Sequence, residues 1–466
     1  MIRRLVIFGA SGDLTSRYLL PALAQLYEAT RLPGSFAILG VARDDWDTEA
    51  FRRHMRKQLE HHAPGVSLSA REAVVSLLEY RRADVANPSE VSKALGALDE
   101  PLVAYLALPP SLFAPTIKAL AAAGLPDGSR IVIEKPFGEN LTSAQELNRI
   151  IHETFPERAV FRIDHFLGHQ NVLNILGLRF GNRVFEPLWN SQHVERVDII
   201  WDETLTLEGR AAYYDAAGAL KDMVQNHLLQ LLCLIGMEPP STLAEPDFRN
   251  RKVDLLRAVR RLSPAEVERW TVRGRHGAGR IGDRQVPAYV DEEGVDPERG
   301  TETFAQVTLF IDNWRWAGVP FLLRSGKALE RDRREISIHF KSAPRYPFAP
   351  DGDPCPNLLR LEIDPDRVVL GVNINGPGDP HALEYVELDR ALAPQEPPAY
   401  GRLMLDVLRG DFTLSIRDDE AEEAWRIIEP ILDAWKEGRV PLLEYPAGTA
   451  GPSSEAHTRA GRQEAP

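Results

Sequence analysis

One short segment of the 466-residue sequence concentrates side chains that move protons. Between Phe161 and His169 lie one carboxylate, Asp164, and two imidazoles, His165 and His169. An imidazole that a carboxylate orients is a general base for taking a proton from a hydroxyl group while hydride leaves the same carbon. These residue types favour the oxidation of an alcohol, in which a cofactor carries the hydride and the protein supplies the base.

A second histidine lies on a long apolar pattern that predicts a helix over 219–235. His227 falls in a series with spacings of three and four, so it is predicted to face the core. A histidine there is either a satisfied core residue or a catalytic one. Asp222 and Asn226 beside it favour the catalytic interpretation.

A glycine turn opens the chain. The run Gly9-Ala10-Ser11-Gly12-Asp13-Leu14 follows an apolar strand and precedes a helical pattern. In that position backbone N–H groups lie against the pyrophosphate of a dinucleotide. The G-x-x-G spacing is shorter than the full fingerprint, so a tight strand-to-helix connection is the alternative.

The end of the second predicted strand offers two signals for the cofactor. Arg43 is suited to the 2′-phosphate of NADP, whereas Asp44 is suited to the free ribose hydroxyl of NAD. The sequence therefore predicts NADP with NAD also accepted, and the alternative is a surface ion pair of little energetic value.

A charged turn ends another buried strand. In Ile133-Glu134-Lys135-Pro136, the lysine is predicted at the carboxyl end of a strand, where substrate and nicotinamide meet in open α/β sheets. The alternative is a strand terminator whose ammonium group extends into water.

The surrounding pattern predicts an α/β fold with two domains and a tail. Apolar runs at 5–8, 36–41, 102–108 and 130–133 predict strands. Helical patterns at 18–29, 48–61, 89–97 and 112–123 lie between them, and Gly124 is predicted to end the last. This alternation over residues 1–165 predicts a Rossmann-like dinucleotide-binding domain. The pattern of residues 166–446 predicts an α+β domain with a large, mostly antiparallel sheet. Residues 447–466 lack Leu, Ile, Val, Phe, Tyr, Trp and Met, so we expect a disordered tail.

Composition narrows the class of protein. The 55 basic and 68 acidic residues give a net charge of −13, which argues against a nucleic-acid partner. The sequence contains no apolar run of the length that a membrane span needs, so we expect no membrane partner. Two cysteines, Cys233 and Cys355, form neither a disulfide framework nor a metal motif, and we expect no metal and a cytoplasmic location.

Taken in order, these segments resemble the glucose-6-phosphate dehydrogenase family, and the resemblance covers nearly the whole chain. It rests on the glycine turn, the Glu-Lys-Pro turn and the following segments: Arg162-Ile163-Asp164-His165, Asp222-Met223-Val224-Gln225-Asn226-His227, Val319-Pro320-Phe321-Leu322-Leu323-Arg324-Ser325-Gly326-Lys327 and Tyr445-Pro446-Ala447-Gly448.

The resemblance implies a reaction and a set of roles. It implies oxidation of the C1 hydroxyl of glucose 6-phosphate to the lactone with NADP, the opening step of the pentose phosphate pathway. His227 would be the base and Asp164 its orienting carboxylate. The other implied ligands are Lys135 for substrate and cofactor, Glu203 and Asp222 for sugar hydroxyls, His165 for the phosphate, Lys327 for the substrate pocket, Arg43 for the 2′-phosphate, and Asp84 with Val85 for the adenine. A homodimer or homotetramer is also implied.

Departures from the family pattern cluster around the phosphate. The family has Tyr and Lys where this chain has Phe166 and His169, and Lys where it has Tyr18. His169 would restore part of the lost charge if it were protonated. Two alternatives follow: an enzyme for a non-phosphorylated or amino sugar, and a non-catalytic regulatory homologue.

Overall fold

The computed structural model describes residues 1–209, 211–242, 244–343, 354–377, 383–393 and 395–453. The chain divides into two compact units. The first comprises Met1–His169, Pro240–Asn250 and Gln395–Glu422, and the second contains the other described residues. The first unit thus includes Pro240–Asn250 and Gln395–Glu422, two segments from further along the chain that the sequence analysis assigned to the second domain.

A parallel sheet forms the centre of the first unit. Among the described residues it has six strands: β1 (Arg4–Phe8), β2 (Ala37–Ala42), β3 (Leu78–Arg82), β4 (Leu102–Leu106), β5 (Arg130–Glu134) and β6 (Val160–Ile163). Their order is β3-β2-β1-β4-β5-β6, and every neighbouring pair is parallel. The predicted Rossmann-like fold is confirmed. The sequence analysis missed β3 and β6, because β3 contains three charged residues and β6 is only four residues long.

Helices connect these strands. They are a π-helical turn (Thr15–Leu19), α1 (Leu20–Glu28), α2 (Thr48–His62), α3 (Leu68–Ser76), α4 (Pro88–Leu95), α5 (Phe113–Ala123) and α6 (Leu141–Thr154). Side chains cap several of them, as where Asp47 accepts a hydrogen bond from the Ala50 amide at 2.7 Å. Gly124, predicted to end a helix, follows α5 with a φ of 70°.

The second unit is built on a mixed sheet. Its strands are β7 (Val194–Asp202), β8 (Thr271–Gly277), β9 (Gly279–Ile281), β10 (Arg284–Val286), β11 (Phe304–Phe310), β12 (Pro320–Gly326), β13 (Arg333–Phe340), β14 (Leu358–Glu362), β15 (Arg367–Asn375), β16 (Leu383–Ala391) and β17 (Leu442–Pro446). Strands β9 and β10 form a separate hairpin, and the rest are ordered β16-β15-β14-β13-β7-β12-β11-β8-β17. Within this second sheet, only β7–β12 and β8–β17 are parallel pairs among the described strands, which confirms a mostly antiparallel sheet.

Where the sequence predicted one helix over 219–235, the second unit has two kinds of helix. After α7 (Gln170–Gly181) and α8 (Ala211–Ala219) comes a π-helical segment, Leu220–Leu228, which continues into α9 (Leu229–Gly236). Every residue from Met223 to Gly236 is buried, so no single stripe faces the core. His227 itself is 1% exposed, as the prediction of a core-facing histidine required.

The remaining helices are α10 (Glu245–Ala258), α11 (Pro264–Trp270), α12 (Ala399–Arg409) and α13 (Asp418–Lys436). Helix α12 belongs to the first unit, where the Leu408 carbonyl accepts a hydrogen bond from the Ile2 amide at 2.9 Å. The rings of Phe161 and Phe412 stack at 3.8 Å between centroids. Long-range packing, rather than sequence neighbourhood, therefore brings 395–422 into the first unit.

The prediction of disorder from Ala447 onward is wrong for the first residues of the tail. Ala447 is buried, and the Gly448 amide donates a hydrogen bond to the Ala328 carbonyl at 2.8 Å. A Cβ on Gly448 would lie 1.8 Å from the Arg280 carbonyl oxygen, so close backbone packing excludes larger side chains there. Residues 454–466 lie outside the described residues.

Within the described ranges, none of the helices has both the length and the apolar character that crossing a membrane requires.

Candidate active site

The predicted site residues of the first unit lie at one edge of its sheet. All six strands run parallel, so their carboxyl ends share that edge. The glycine turn follows β1, and Arg43, Lys135 and Asp164 follow β2, β5 and β6. Strand order reverses between β1 and β4, and in open α/β sheets ligands bind at this switch point.

The glycine turn depends on Gly9 for its shape. Gly9 has a φ of 82°, and a Cβ there would lie 2.1 Å from the Ala107 carbonyl oxygen beyond the end of β4. The Gly12 amide closes the turn on the Gly9 carbonyl at 3.0 Å. Ser11 and Leu14 are partly buried, whereas Gly12 and Asp13 are exposed at the start of the helix. The backbone of this turn is thus accessible at the ligand edge.

The loop after β2 presents Arg43 and Asp44 to solvent. Both residues are exposed. The Tyr80 hydroxyl donates to the Asp44 carbonyl at 2.9 Å, and Asp45 pairs with Arg82 at 2.9 Å. Among the residues that the structure describes, Arg43 takes part in no ion pair. Its guanidinium group is therefore accessible to an anionic ligand.

The turn after β3 contains the residues expected near an adenine. The Asp84 carboxylate accepts a hydrogen bond from the Ala86 amide at 3.0 Å, which fixes the turn. Val85 is 4% exposed, so its side chain belongs to the core. Asp84 itself remains exposed at the ligand edge.

A buried carboxylic acid that the sequence analysis did not select ends strand β5. Glu134 is 8% exposed and accepts a hydrogen bond from the Tyr105 hydroxyl at 2.5 Å. Burial raises the pKa of Glu134 to about 7, and the nearby Asp164 charge adds to the rise. Lys135, the next residue, is partly buried and opposes it. The sequence signal for Glu134 was a carboxylate directly after the apolar residues of a predicted strand.

Asp164 and His165 lie in the turn after β6. Asp164 is fully buried and accepts a hydrogen bond from the Phe166 amide at 2.9 Å, which caps a short turn, His165–Gly168. The ring of His165 lies nearly parallel to that of Tyr400, with centroids 5.4 Å apart. His169 is partly exposed. Its ring is nearly perpendicular to that of the buried Phe166, with centroids 6.0 Å apart.

In the second unit, two predicted substrate ligands form an ion pair. Glu203 follows β7 and Lys327 follows β12, which is its parallel neighbour. The Lys327 ammonium donates to the Glu203 carboxylate at 2.7 Å, and both side chains are 16% exposed. The same ammonium lies 5.3 Å from the centre of the Tyr214 ring. Residues 124 positions apart thus meet because their strands pair.

Asp222 belongs to the same group of side chains. It accepts a hydrogen bond from the Tyr213 hydroxyl at 3.1 Å. Burial raises the pKa of Tyr214 well above its usual value, and the charge of Asp222 is the next cause. Asp222 and Lys327 therefore lie near two neighbouring tyrosines that the sequence analysis did not select.

His227 is held by a helix whose start is anchored to Glu302. The Leu220 amide donates to the Glu302 carboxylate at 3.0 Å, and burial raises the pKa of that acid. A Cβ on Gly218 would lie 2.4 Å from Glu302 Oε1, so glycine is needed for this approach. The π-helical segment that follows is a rare conformation that recurs at functional sites.

Comparison with known proteins identifies the family. The strand order and glycine turn are those of a dinucleotide-binding oxidoreductase fold. Residues 6–174 match the glucose-6-phosphate dehydrogenase NAD binding domain, and residues 176–464 match the C-terminal domain of the same enzyme family. The chain belongs to the glucose-6-phosphate dehydrogenase family.

Individual relatives agree along the full length. The chain is 41% identical to the glucose-6-phosphate 1-dehydrogenase of Treponema pallidum, covering 97% of this chain and 92% of that protein. It is 42% identical to the corresponding enzyme of Mycolicibacterium smegmatis, covering 97% and 94%. A solved glucose-6-phosphate dehydrogenase in complex with glucose-6-phosphate matches with a TM-score of 0.89 at 32% identity, over 99% of this chain and 98% of the other. These relatives do not favour the two alternative functions raised by the sequence.

Proposed function

We propose that this protein oxidises the C1 hydroxyl group of glucose 6-phosphate to the lactone, with NADP as the hydride acceptor. The observation that carries the proposal is His227, which is buried at 1% exposure within the segment Asp222–His227 that gives the family resemblance. A buried imidazole is suited to hold one proton at a defined position. The full-length relatives point to the same substrate.

In the proposed reaction His227 takes the proton of the C1 hydroxyl, and Asp164 orients its imidazole. Full burial suits Asp164 to this role, because a carboxylate away from water interacts strongly with an imidazolium. When bound, the nicotinamide supplies the hydride acceptor. Lys135 contacts substrate and cofactor at the carboxyl end of β5.

The first unit fits a dinucleotide. Residues Gly9, Ser11, Gly12, Asp13 and Leu14 form the turn that would hold the pyrophosphate, with Asp84 and Val85 near the adenine. Arg43 would meet the 2′-phosphate, and the exposed Asp44 beside it would accept a hydrogen bond from the ribose of NAD. We therefore propose that both cofactors are used and that NADP is preferred.

Substitution of Arg43 tests the cofactor assignment. In Arg43→Ala we expect the KM for NADP to rise about tenfold or more while the KM for NAD changes little, since a charge-assisted bond contributes roughly 1.5–3 kcal/mol. Arg82→Ala is the matched control, because Arg82 is also exposed at a strand end but pairs with Asp45. Equal effects on both cofactors would contradict the role of Arg43.

For the sugar we propose that Glu203 and Asp222 bind hydroxyl groups, that His165 and His169 bind the phosphate, and that Lys327 lines the substrate pocket. Both Glu203 and Lys327 are mostly buried and already paired, which suits groups that must be in place before the sugar arrives. His165 matches the family's phosphate ligand, and His169 stands where the family has a lysine.

A panel of sugars with both cofactors tests the function. We expect reduction of NADP with glucose 6-phosphate to exceed that with glucose or glucosamine by at least tenfold in kcat/KM. Equal or higher values for the unphosphorylated sugars would reject the substrate. An absence of NAD(P)H formation with every sugar would reject the enzyme.

We propose a homodimer or homotetramer in the cytoplasm, as the resemblance implies. Neither Cys233 nor Cys355 forms a disulfide within the described residues, which agrees with a reducing compartment. Light scattering on the purified protein tests the assembly, and a monomer at micromolar concentration would contradict it.

A further inference from the structure

Three aromatic rings from distant parts of the sequence form a stack in the first unit. The rings of Tyr18 and Tyr400 lie 5.2 Å apart between centroids and are inclined by 29°. The rings of Tyr400 and His165 lie 5.4 Å apart and are inclined by only 13°. Tyr400 therefore stacks with both a phenol ring and an imidazole ring.

Each ring is placed by a different element. Tyr18 belongs to the π-helical turn Thr15–Leu19, which follows the glycine turn. Tyr400 lies in the first turn of α12, and His165 opens the short turn after β6. The stack thus links the start of the cofactor-binding region to the turn that contains the proposed phosphate ligand.

Close backbone packing holds the last two elements together. A Cβ on Gly168 would lie 2.8 Å from the Ala399 carbonyl oxygen, so only glycine allows this approach. The Gln395 side chain donates to the Gly168 carbonyl at 2.7 Å. Both contacts join the segment just before Tyr400 to Gly168, three residues after His165, and so support the contact between the two rings.

The stack restricts how the imidazole is oriented. Tyr400 covers one face of the His165 ring, and the Phe166 ring meets it at 80° with centroids 5.0 Å apart. Contacts of this kind constrain the plane of a ring, and each favourable aromatic pair changes an equilibrium by a factor of a few to about ten. The imidazole nitrogens lie on the perimeter of the ring and form hydrogen bonds in its plane. The orientation of that plane therefore decides where the ring can bind an anion.

Tyr18 stacks on Tyr400 while remaining 46% exposed. The Arg17 guanidinium lies 6.0 Å from the centre of the Tyr18 ring. The hydroxyl of Tyr18 is not needed for this role, because the contact is between ring faces.

We propose that Tyr18, acting through Tyr400, is a positioning residue that holds the His165 ring in the orientation that binds the phosphoryl group of the substrate. The inference rests on the proposed function, in which His165 is a phosphate ligand. It adds a specificity determinant that lies outside the predicted site.

Paired substitutions of Tyr18 test the role of the ring. We expect Tyr18→Leu to raise the KM for glucose 6-phosphate by about three- to tenfold, with kcat within twofold and the KM for NADP unchanged. Tyr18→Phe keeps the ring and should behave as wild type. An unchanged KM in Tyr18→Leu, or equal KM values in the Leu and Phe variants above the wild-type value, would overturn the proposal.

Tyr400→Leu and Tyr400→Phe extend the test to a readout that needs no turnover. In protein carrying labelled histidine, the ring-proton resonances of His165, assigned with His165→Gln, should shift in Tyr18→Leu and Tyr400→Leu but not in the Phe variants, because stacked rings shield their neighbours. Inorganic phosphate should move the same resonances at lower concentration in wild type than in the Leu variants.

These measurements separate two failures. If glucose 6-phosphate is not oxidised but phosphate still titrates His165 in a stack-dependent way, the proposed function fails and the positioning role stands. If the enzyme is active but phosphate leaves the His165 resonances unmoved, the positioning role is overturned.

Discussion

Two carboxylates at the ends of strands, one in each unit, are stabilised in different ways. Glu134 ends β5 of the first unit, is nearly buried, and accepts its hydrogen bond from the neutral Tyr105 hydroxyl. Glu203 follows β7 of the second unit and pairs directly with the Lys327 ammonium group. Glu203 thus has a cationic partner, whereas the hydrogen bond from Tyr105 offsets the effect of burial on the pKa of Glu134 only in part.

The difference teaches that a position at a strand end does not fix the chemistry of the residue there. In the first unit burial raises the pKa of Glu134 to about 7, so its protonation changes near neutral pH. In the second unit the ion pair provides fixed charges that suit binding to sugar hydroxyls. We therefore expect the two units to respond differently to substitution.

The largest effect should follow substitution of the proposed base. In His227→Asn we expect kcat to fall by roughly 10² to 10⁴, as for loss of a general base. His339→Asn is a control within the same unit, since His339 pairs at 2.9 Å with Asp198 in the middle of β7. If Glu134→Gln abolished turnover and His227→Asn did not, the base would belong to the first unit.

Glu134→Gln should change how stability depends on pH. Because the folded pKa of about 7 lies above the ordinary value of 4.5, the folded state binds more protons between these pH values. The stabilisation is thus complete below about pH 4.5 and is lost as the pH rises to about 7. We expect the difference in unfolding free energy between wild type and variant to fall by on the order of 3 kcal/mol across this range.

Urea unfolding at a series of pH values measures this difference. Glu139→Gln serves as a control because Glu139 is exposed in the same loop. A parallel pH profile for wild type and Glu134→Gln would show that Glu134 ionises normally and would remove the contrast with Glu203.

Loss of the ion pair in the second unit should affect substrate binding. In Lys327→Met we expect the KM for glucose 6-phosphate to rise by roughly 10- to 100-fold, which corresponds to one charge-assisted hydrogen bond. Glu203→Gln should raise the same KM, and the double variant should cost less than the product of both effects, because the partners act together. Independent effects would indicate that the two side chains bind separate parts of the sugar.

The smallest effect should come from restoring a permanent charge beside the phosphate. His169 is partly exposed, so His169→Lys fits without repacking. We expect the KM for glucose 6-phosphate to fall by a few-fold and that for glucose to stay the same. An unchanged ratio of the two would show that residue 169 does not meet the phosphate.

Much of the first unit was predictable because its structure follows local patterns. Four of its six described strands were predicted from runs of apolar residues, and α1, α2, α4 and α5 from helical periods between them, whereas α3 and α6 were not predicted. Strand β3 was not predicted, because Leu78–Arg82 carries charges at its exposed positions. Its place in the sheet comes from pairing with β2.

The second unit was less predictable because its important contacts are long-range. The π-helical segment Leu220–Leu228 follows a sequence that also fits an α-helix, and its start is anchored by Glu302, 82 residues further along the chain. Tyr213 and Tyr214 carry no motif, and only their packing near Asp222 and Lys327 shows their place in the site.

The sequence alone determined the order of chemical groups: a glycine turn, strand-end Lys135 and Asp164, and His227 within an apolar run. Those features depend on residues close together in the chain, so local pattern is enough to find them. The tertiary structure decided which carboxylic acid has its pKa raised to about 7, which carboxylate is paired with an ammonium group, and which ring stacks on His165. These properties depend on burial and on partners far away in sequence, and only folding brings such partners together.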